Sequence, residues 1–368
     1  MRLHLLGLPH TITTPHWSHC AFTGKLLRFS PMMRSVGYEV LHYGVAGAES
    51  GASEQVDVMA YEEWLRLGGE PPESGRFVEN TDPDGPLQRQ YNANLRAALE
   101  ARVRPDDMLC LQFGRGQYQA TDAFPWWQKI EVGIGYEHTI ARFRVFESYA
   151  WMHWLLGSVG QMRGDDYNWV IPNYFRVDDW PLGTGAGKYL LYFGRLTESK
   201  GLSIVKTIAE ARPDLLVVMC GLGDPTPWMG PKNLHYMEPI HGSQAARADL
   251  LGNALAVLMP SRYVEPFGSV AAEALLCGTP VLTSPFGAFT EIVTPGYNGE
   301  RCRTLDEWLA AVADVEADHF APRQVIQHSA RGRYDMQSLA HRYDKVFRQI
   351  NDLWGEGWYT RREEVQRA

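Results

Sequence analysis

One stretch constrains this chain more than any other, Ser261 to Val293, SRYVEPFGSVAAEALLCGTPVLTSPFGAFTEIV. The apolar run LAVLMPS (255–261) ends in a polar loop, and a good helix sequence, SVAAEALLCG, opens at Gly268–Ser269. That order is a strand-to-helix crossing of an α/β sheet, and such sheets bind ligands outside the carboxyl ends of their strands. A helix N-terminus offers unpaired N–H groups and partial positive charge, and Gly268 allows a ligand close to the backbone, which suits a phosphate. Glu265 precedes the helix and Glu273 lies one turn or so inside it. Carboxylates do not serve an anion, so the pair reads as acceptors for hydroxyls, a sugar on one side and a ribose on the other. The plainer alternative is a buried helix that happens to carry glutamates.

E-P-F-G at 265–268, a second Glu eight positions after the first, G-T-P-V at 278–281 and E-I-V at 291–293 resemble the donor-site signature of the large retaining GT-B glycosyltransferase family, the glycosyl transferases group 1 type with the E-x7-E motif. A second match is G-R-L-x-x-x-K-G at 194–201, on a strand-to-helix turn. The resemblance implies an α/β protein of the GT-B class, with two facing Rossmann-like domains and an inter-domain cleft. It implies transfer of a hexose from a nucleotide-diphosphate sugar, UDP- or GDP-linked with UDP-glucose as the type, to an acceptor hydroxyl with retention of anomeric configuration. By the same resemblance Arg195 and Lys200 neutralise the donor diphosphate together with backbone N–H groups near Phe267, Gly268, Ser269 and Val270. Glu265 then holds the sugar hydroxyls, Glu273 the ribose, and the segment from Glu238 to Ile240 cradles the base. Fixed cations in a dry cleft stabilise the departing diphosphate as its charge grows. They can stand in for a metal, and no Asp-x-Asp-type motif occurs at a strand end, so metal independence and the absence of a cofactor are expected.

At 368 residues with 45% apolar content, the chain is long enough for about two domains and a sizeable core. Its net charge of −8 is shared by both halves, which argues against reliance on nucleic-acid backbone contacts. Cys20, Cys110, Cys220, Cys277 and Cys302 are far apart and mostly in apolar strings. They read as core residues of a protein in a reducing compartment. The opening MRLHLLGLPH is too short an apolar run for a signal peptide, and no stretch has the ~18 apolar residues of a membrane span, so a soluble cytoplasmic protein is expected.

In chain order, LHLLGLP (3–9) reads as a strand, FTGKLLRFSPMMRSVG (22–37) as a helix ending at Gly37, and YEVLHYG (38–44) as the next strand, a Rossmann opening. Where the resembled family carries paired glycines in its first loop, this chain has His19-Cys20-Ala21-Phe22, with Gly24 later; Lys25, His16 or His19 are candidates to compensate. VDVMAY (56–61), DMLCLQFG (107–114) and KIEVGIGY (129–136) are further strands, a helix covers roughly 87–102, and 71–86 is a long polar loop. His138, just past a strand end, is the nearest match to the family's histidine beside the sugar. RVFESYAWMHWLLG (144–157) is expected to pack the first domain's core. WVIPNYFRVDDW (169–180) closes that domain and PLGTGAG (181–187) links it to the next. The domains expected are therefore 1–182 for the acceptor and 183–345 for the nucleotide sugar, with a helix and tail at 346–368 returning to the first. Phe286-Gly287-Ala288-Phe289 occupies the place of a second glycine pair, and Glu291 reads as a helix cap.

The acceptor stays open among a sugar, a lipid, a small metabolite and a modified DNA base. The rival readings are a GT-B phosphorylase or epimerase and a non-catalytic nucleotide-sugar-binding module.

Overall fold

A computed structural model of the chain describes residues 1–71, 82–124, 127–161 and 164–355. Most of the polar loop expected at 71–86, and the charged tail at 360–368, lie outside the described residues. By their internal contacts the residues form two units: unit 1 comprises 1–146, 165–171 and 336–368, and unit 2 comprises 147–164 and 172–335.

Unit 1 holds a seven-stranded sheet of β1 (Arg2–Leu6), β2 (Glu39–Val45), β3 (Glu54–Met59), β4 (Met108–Leu111), β5 (Gln128–Ile134), β6 (Phe143–Phe146) and β7 (Asn168–Val170). The order is β3-β2-β1-β4-β5-β6-β7 and every pairing is parallel. Parallel strands are covered on both faces, so β1 and β4 at the centre of the sheet are buried along nearly their whole length, whereas the edge strand β3, EQVDVM, mixes exposed and buried positions. One face packs Leu6, Leu41, Tyr43, Leu109 and Leu111 against Trp64, Tyr91, Leu95 and Leu99. On the helix Ala21–Ser35 lies the helix Met336–Gly355, whose Leu339, Tyr343, Val346, Phe347 and Ile350 are buried at helical spacing. Phe29 meets Tyr343 edge-on at 5.5 Å, and Tyr38 donates from its hydroxyl to Asp344 at 2.8 Å.

Strand order reverses between β1 and β4, and this edge is closed by one side chain. Gln117, fully buried, donates from Nε2 to the carbonyls of Leu6 (2.9 Å) and Gly7 (3.1 Å) and accepts at Oε1 from the N–H groups of Gln112 (3.0 Å) and Phe113 (3.3 Å). Its carboxamide thus ties together the carboxyl ends of two strands whose ladders have stopped.

Unit 2 holds a six-stranded parallel sheet of β8 (Tyr189–Phe193), β9 (Leu216–Cys220), β10 (Leu234–Met237), β11 (Ala256–Met259), β12 (Val281–Thr283) and β13 (Gly299–Arg301), in the order β10-β9-β8-β11-β12-β13. The helices Leu202–Ala211 and Leu305–Glu316 cover one face through Val205, Ile208, Trp308 and Val312. Ser269–Leu276 and Arg323–Tyr334 cover the other through Ala272, Leu275, Ile326 and Ala330.

The aromatic segment at 144–157 differs from expectation. Phe143–Phe146 does form β6 of unit 1, but the helix Tyr149–Ser158 groups by its contacts with unit 2. Its first turn explains this. Ser148 accepts from Trp151 N and donates from its hydroxyl to the Pro266 carbonyl at 2.7 Å, while the Glu291 carboxylate accepts from the N–H groups of Tyr149 (3.1 Å) and Ala150 (2.8 Å). Glu291 is therefore a cap, but of this distant helix rather than of its own, the placement a negative charge prefers at a helix N-terminus.

All five cysteines are buried thiols. Among the described residues no helix is long and apolar enough to cross a membrane.

Candidate active site

The two charged motifs lie some 65 positions apart in sequence, and the sheet brings them together. β8 and β11 are neighbours, with Leu190 paired to Ala256, Leu191 to Val257 and Tyr192 to Leu258. The loop after β8 carries Arg195 and Lys200, and the loop after β11 carries Glu265. This is where the strand order of unit 2 reverses, the place where an open α/β sheet leaves a crevice. Gly201 sets the approach: its φ of +79° is left-handed, and a Cβ there would lie 2.0 Å from the Pro260 carbonyl oxygen. Any larger residue would push the Lys200 loop off the end of β11.

Lys200 Nζ donates to both Glu265 oxygens at 3.1 Å and to the Tyr263 hydroxyl. Glu265 Oε2 also accepts from Ser261 Oγ at 2.9 Å, and the Ser261 carbonyl in turn accepts from Ser284 Oγ at 2.7 Å. Glu265 is only 7% exposed, so its charge depends on these donors; a buried carboxylate without a partner is costly. Burial, and after it the Glu265 charge, push the Tyr263 and Tyr192 phenols well above their usual range, so both hydroxyls remain neutral. The Tyr192 hydroxyl donates to the Arg195 carbonyl and shapes the turn that exposes the Arg195 side chain.

Glu273, 5% exposed, is held differently. Arg247, from the helix Gln244–Asn253, donates to its Oε2 from Nε (2.8 Å) and from a terminal nitrogen (2.5 Å). The guanidinium carbon stands 4.7 Å from the centre of the Phe193 ring at the end of β8. Gly268 caps the Ser269–Leu276 helix with φ +79°, and its missing Cβ makes room for Phe289 Cε1, which would otherwise lie 2.8 Å away. The Phe267 side chain is in the core against Tyr334, so this residue offers a ligand only its backbone. Ser269 Oγ accepts from Asn173 at 3.4 Å and Val270 is half-buried in the first turn. Ala288 N donates to the Glu265 carbonyl at 3.0 Å, so the Phe286–Phe289 segment braces the glutamate loop from behind.

The segment from Glu238 to Ile240 follows β10 on the same edge of the sheet. Glu238 accepts from the Tyr236 hydroxyl at 3.2 Å, and its carbonyl accepts from the Cys220 thiol at 3.3 Å. His138 and Gly24 belong to unit 1. His138 is exposed, with φ +65°, and its carbonyl accepts from Arg115 N at 3.0 Å. Gly24 lies within the helix Ala21–Ser35, where a Cβ would meet the Ser18 carbonyl at 2.7 Å, a packing reason for glycine. Lys25 is buried and donates to the Gly133 carbonyl at 2.8 Å. His19 bonds the His16 carbonyl at 3.2 Å.

Sequence reasoning picked out Arg195, Lys200, Glu265 and Glu273 and passed over Ser261, Tyr263 and Arg247. Ser261 and Tyr263 sat inside the quoted motif, where the polar positions between the strand end and Glu265 were the available signal. Arg247 left none, being one charge in an ordinary helix. Among the described residues no cluster of three or more His, Cys, Asp or Glu side chains is arranged to hold a metal ion.

Residues 180–332 match the family model described as glycosyl transferases group 1. A glycogen synthase of Mycobacterium tuberculosis is 31% identical over 198 residues, covering 48% of this chain and 47% of that protein, so the chain spans about half the length of this curated relative. Among solved structures, sucrose-phosphate synthase from Thermosynechococcus elongatus superposes with a TM-score of 0.71 at 14% identity over 95% of this chain and 99% of that one. Anabaena HepE in complex with UDP and glucose does so with a TM-score of 0.66 at 14% identity over 95% and 100%. Carrying this motif cluster on two Rossmann-like sheets, the chain has the GT-B fold, and its residues 180–332 belong to the glycosyl transferases group 1 family.

Proposed function

We propose that the protein transfers a sugar from a nucleotide-diphosphate sugar to an acceptor hydroxyl, with retention at the anomeric carbon and without a metal ion. The observation that carries this reading is the joining of Lys200 to Glu265 at 3.1 Å on the reversal edge of unit 2, with Arg195 on the same loop and Glu273 in the helix behind. Its roles follow from charge. Arg195, Lys200 and the backbone N–H groups at Gly268–Val270 take the diphosphate, Glu265 takes hydroxyls of the sugar, and Glu273 those of the ribose. As the bond from the anomeric carbon to the phosphate oxygen breaks, the acceptor oxygen bonds to that carbon from the same face. The acceptor proton passes to the departing phosphate oxygen, so no separate protein base is required.

Lys200 has a second task in this scheme. With no diphosphate bound it compensates Glu265; with one bound it shares its charge between carboxylate and phosphate, and the neutral Tyr263 hydroxyl holds the ammonium in place for both. The reading is supported by the name of the curated relative, a glycogen synthase, and by the UDP and glucose in the HepE complex. A uridine or guanosine donor and a hexose are the expectation.

The test is a thermal-shift panel of nucleoside diphosphates and their sugars, since a ligand bound only by the folded state raises stability by RT ln(1 + [L]/Kd). A shift selective for one base, followed by transfer to an acceptor or slow hydrolysis of the donor, is expected. Binding with neither transfer nor hydrolysis would make this a nucleotide-sugar-binding module, and turnover requiring inorganic phosphate would make it a phosphorylase.

A further inference from the structure

The Glu273 carboxylate is asymmetric. Both donors it receives from Arg247 fall on Oε2, and among the described residues Oε1 accepts no hydrogen bond. The guanidinium that holds it is itself fixed on three sides. One face lies over the Phe193 ring, two of its nitrogens are committed to the carboxylate, and its helix packs against the Ser269–Leu276 helix that carries Glu273. Two donors of one fixed planar group converging on Oε2 pin that oxygen and leave Oε1 to another donor, whereas an ammonium, as a point charge on a flexible stem, could bridge both oxygens.

We infer that Arg247 is the positioning residue that makes the site selective for ribonucleotides: by saturating Glu273 Oε2 it presents Oε1, oriented and charged, to a ribose hydroxyl. This inference rests on the reading of unit 2 as a nucleotide-sugar site. Its physical content is that a site built to accept a hydrogen bond discriminates strongly against a ligand lacking the donor, because its own polar group is then left unpaired. Without the fork, Glu273 turns toward solvent or another donor and the ribose hydroxyl gains little from it. Arg247 touches no reacting atom in this arrangement, so its replacement acts on nucleotide binding rather than on bond breaking.

The experiment uses the full chain and measures binding of UDP, ADP and GDP, each beside its 2′-deoxy and 3′-deoxy form, by calorimetric titration. In the wild type, one ribonucleoside diphosphate is expected to bind at least tenfold more tightly than one of its deoxy forms. In Arg247→Gln and Arg247→Lys that ratio is expected to fall below threefold, with affinity for the deoxy form itself changed less than threefold. In turnover, KM for the donor rises while kcat stays within a factor of about three. If Arg247→Gln does not fold, Arg247→Lys, which keeps a charge beside the buried carboxylate, carries the same ratio. A wild-type protein that binds a ribonucleotide with its preference intact in these variants would overturn the inference and leave the proposed function standing. A wild type that binds none of the diphosphates would overturn both.

Discussion

At the reversal between β1 and β4, unit 1 closes its own edge with the Gln117 carboxamide, all four of whose hydrogen bonds go to the backbone of the two strand ends and the glycine beyond one of them. At the corresponding reversal between β8 and β11, unit 2 places Lys200, Glu265 and the exposed Arg195, groups whose charges are only partly compensated by one another. The topology at the two edges is the same, and what differs is whether the chain spends the crevice on itself. A neutral amide satisfied by backbone has nothing left for a ligand, whereas a carboxylate and an ammonium in partial contact with solvent do. A parallel sheet therefore supplies a location for a site, and the side chains decide whether one exists.

The largest expected effect tests the charged edge. Lys200→Ala should lower kcat roughly 10³-fold, about 4 kcal/mol of transition-state stabilisation, with the far-ultraviolet circular dichroism unchanged. Glu273→Ala should act mainly through donor KM, and undiminished turnover in Lys200→Ala would place the chemistry elsewhere. The closed edge gives the converse result. Gln117→Ala strands two buried N–H groups and two carbonyls, so it should cost about 3 kcal/mol in urea unfolding while nucleotide affinity stays within twofold. A loss of affinity there would mean that the β1/β4 edge also serves the ligand.

Acid should separate the units further. Buried histidines occur among the described residues only in unit 1, as His4, His10 and His42. Burial lowers His42 to about 4, against the opposing bond to Gln55, and lowers His4 in the same direction. For a base whose folded pKa is depressed, the stability is present above the unfolded value near 6.5 and is lost as pH falls from there toward 4. For His42 the loss is on the order of 3 kcal/mol. Hydrogen exchange from pH 7 to 4.5 should show unit 1 amides deprotected before those of unit 2, and His42→Gln should flatten that slope. The smallest effect is a control in unit 2. Thr304 and Glu307 form a reciprocal capping box on the helix Leu305–Glu316, and Thr304→Ala should cost about 1 kcal/mol with no change in donor binding.

These expectations also show where sequence reading runs out. Strands of both sheets were legible because segments buried on two faces become apolar runs: β2 lies within a residue of the run at 38–44 and β11 falls inside the run at 255–261, whereas β1 starts within a residue of where its run places it but stops at Leu6, three residues short of the run's end. Lys200, Glu265 and Glu273 were legible because their spacing is tied to strand-to-helix crossings. Arg247 and Gln117 were not. Each acquires its role from a partner far away in sequence, Glu273 for the one and the ends of β1 and β4 for the other, and in a linear string both look like solvated polar residues. The helix Tyr149–Ser158 misled for a related reason: its aromatic content announces burial but not the unit that buries it, and the deciding contacts are polar ones at its first turn, to Pro266 and Glu291.

That helix bears on how the protein can be taken apart. The chain passes between the units at Phe146/Glu147, Gly164/Asp165, Ile171/Pro172 and Asp335/Met336, so neither unit is a continuous piece of polypeptide. A fragment cut at the PLGTGAG segment would carry every charged residue of the candidate site yet lack residues 147–164, leaving the Glu291 carboxylate and the Pro266 carbonyl, next to Glu265, without the groups they bind. Gene fusions or exchanges that treat residues 183–345 as a portable cassette would thus inherit the motif without its brace. A working graft has to bring the earlier helix along, threaded back through two additional junctions.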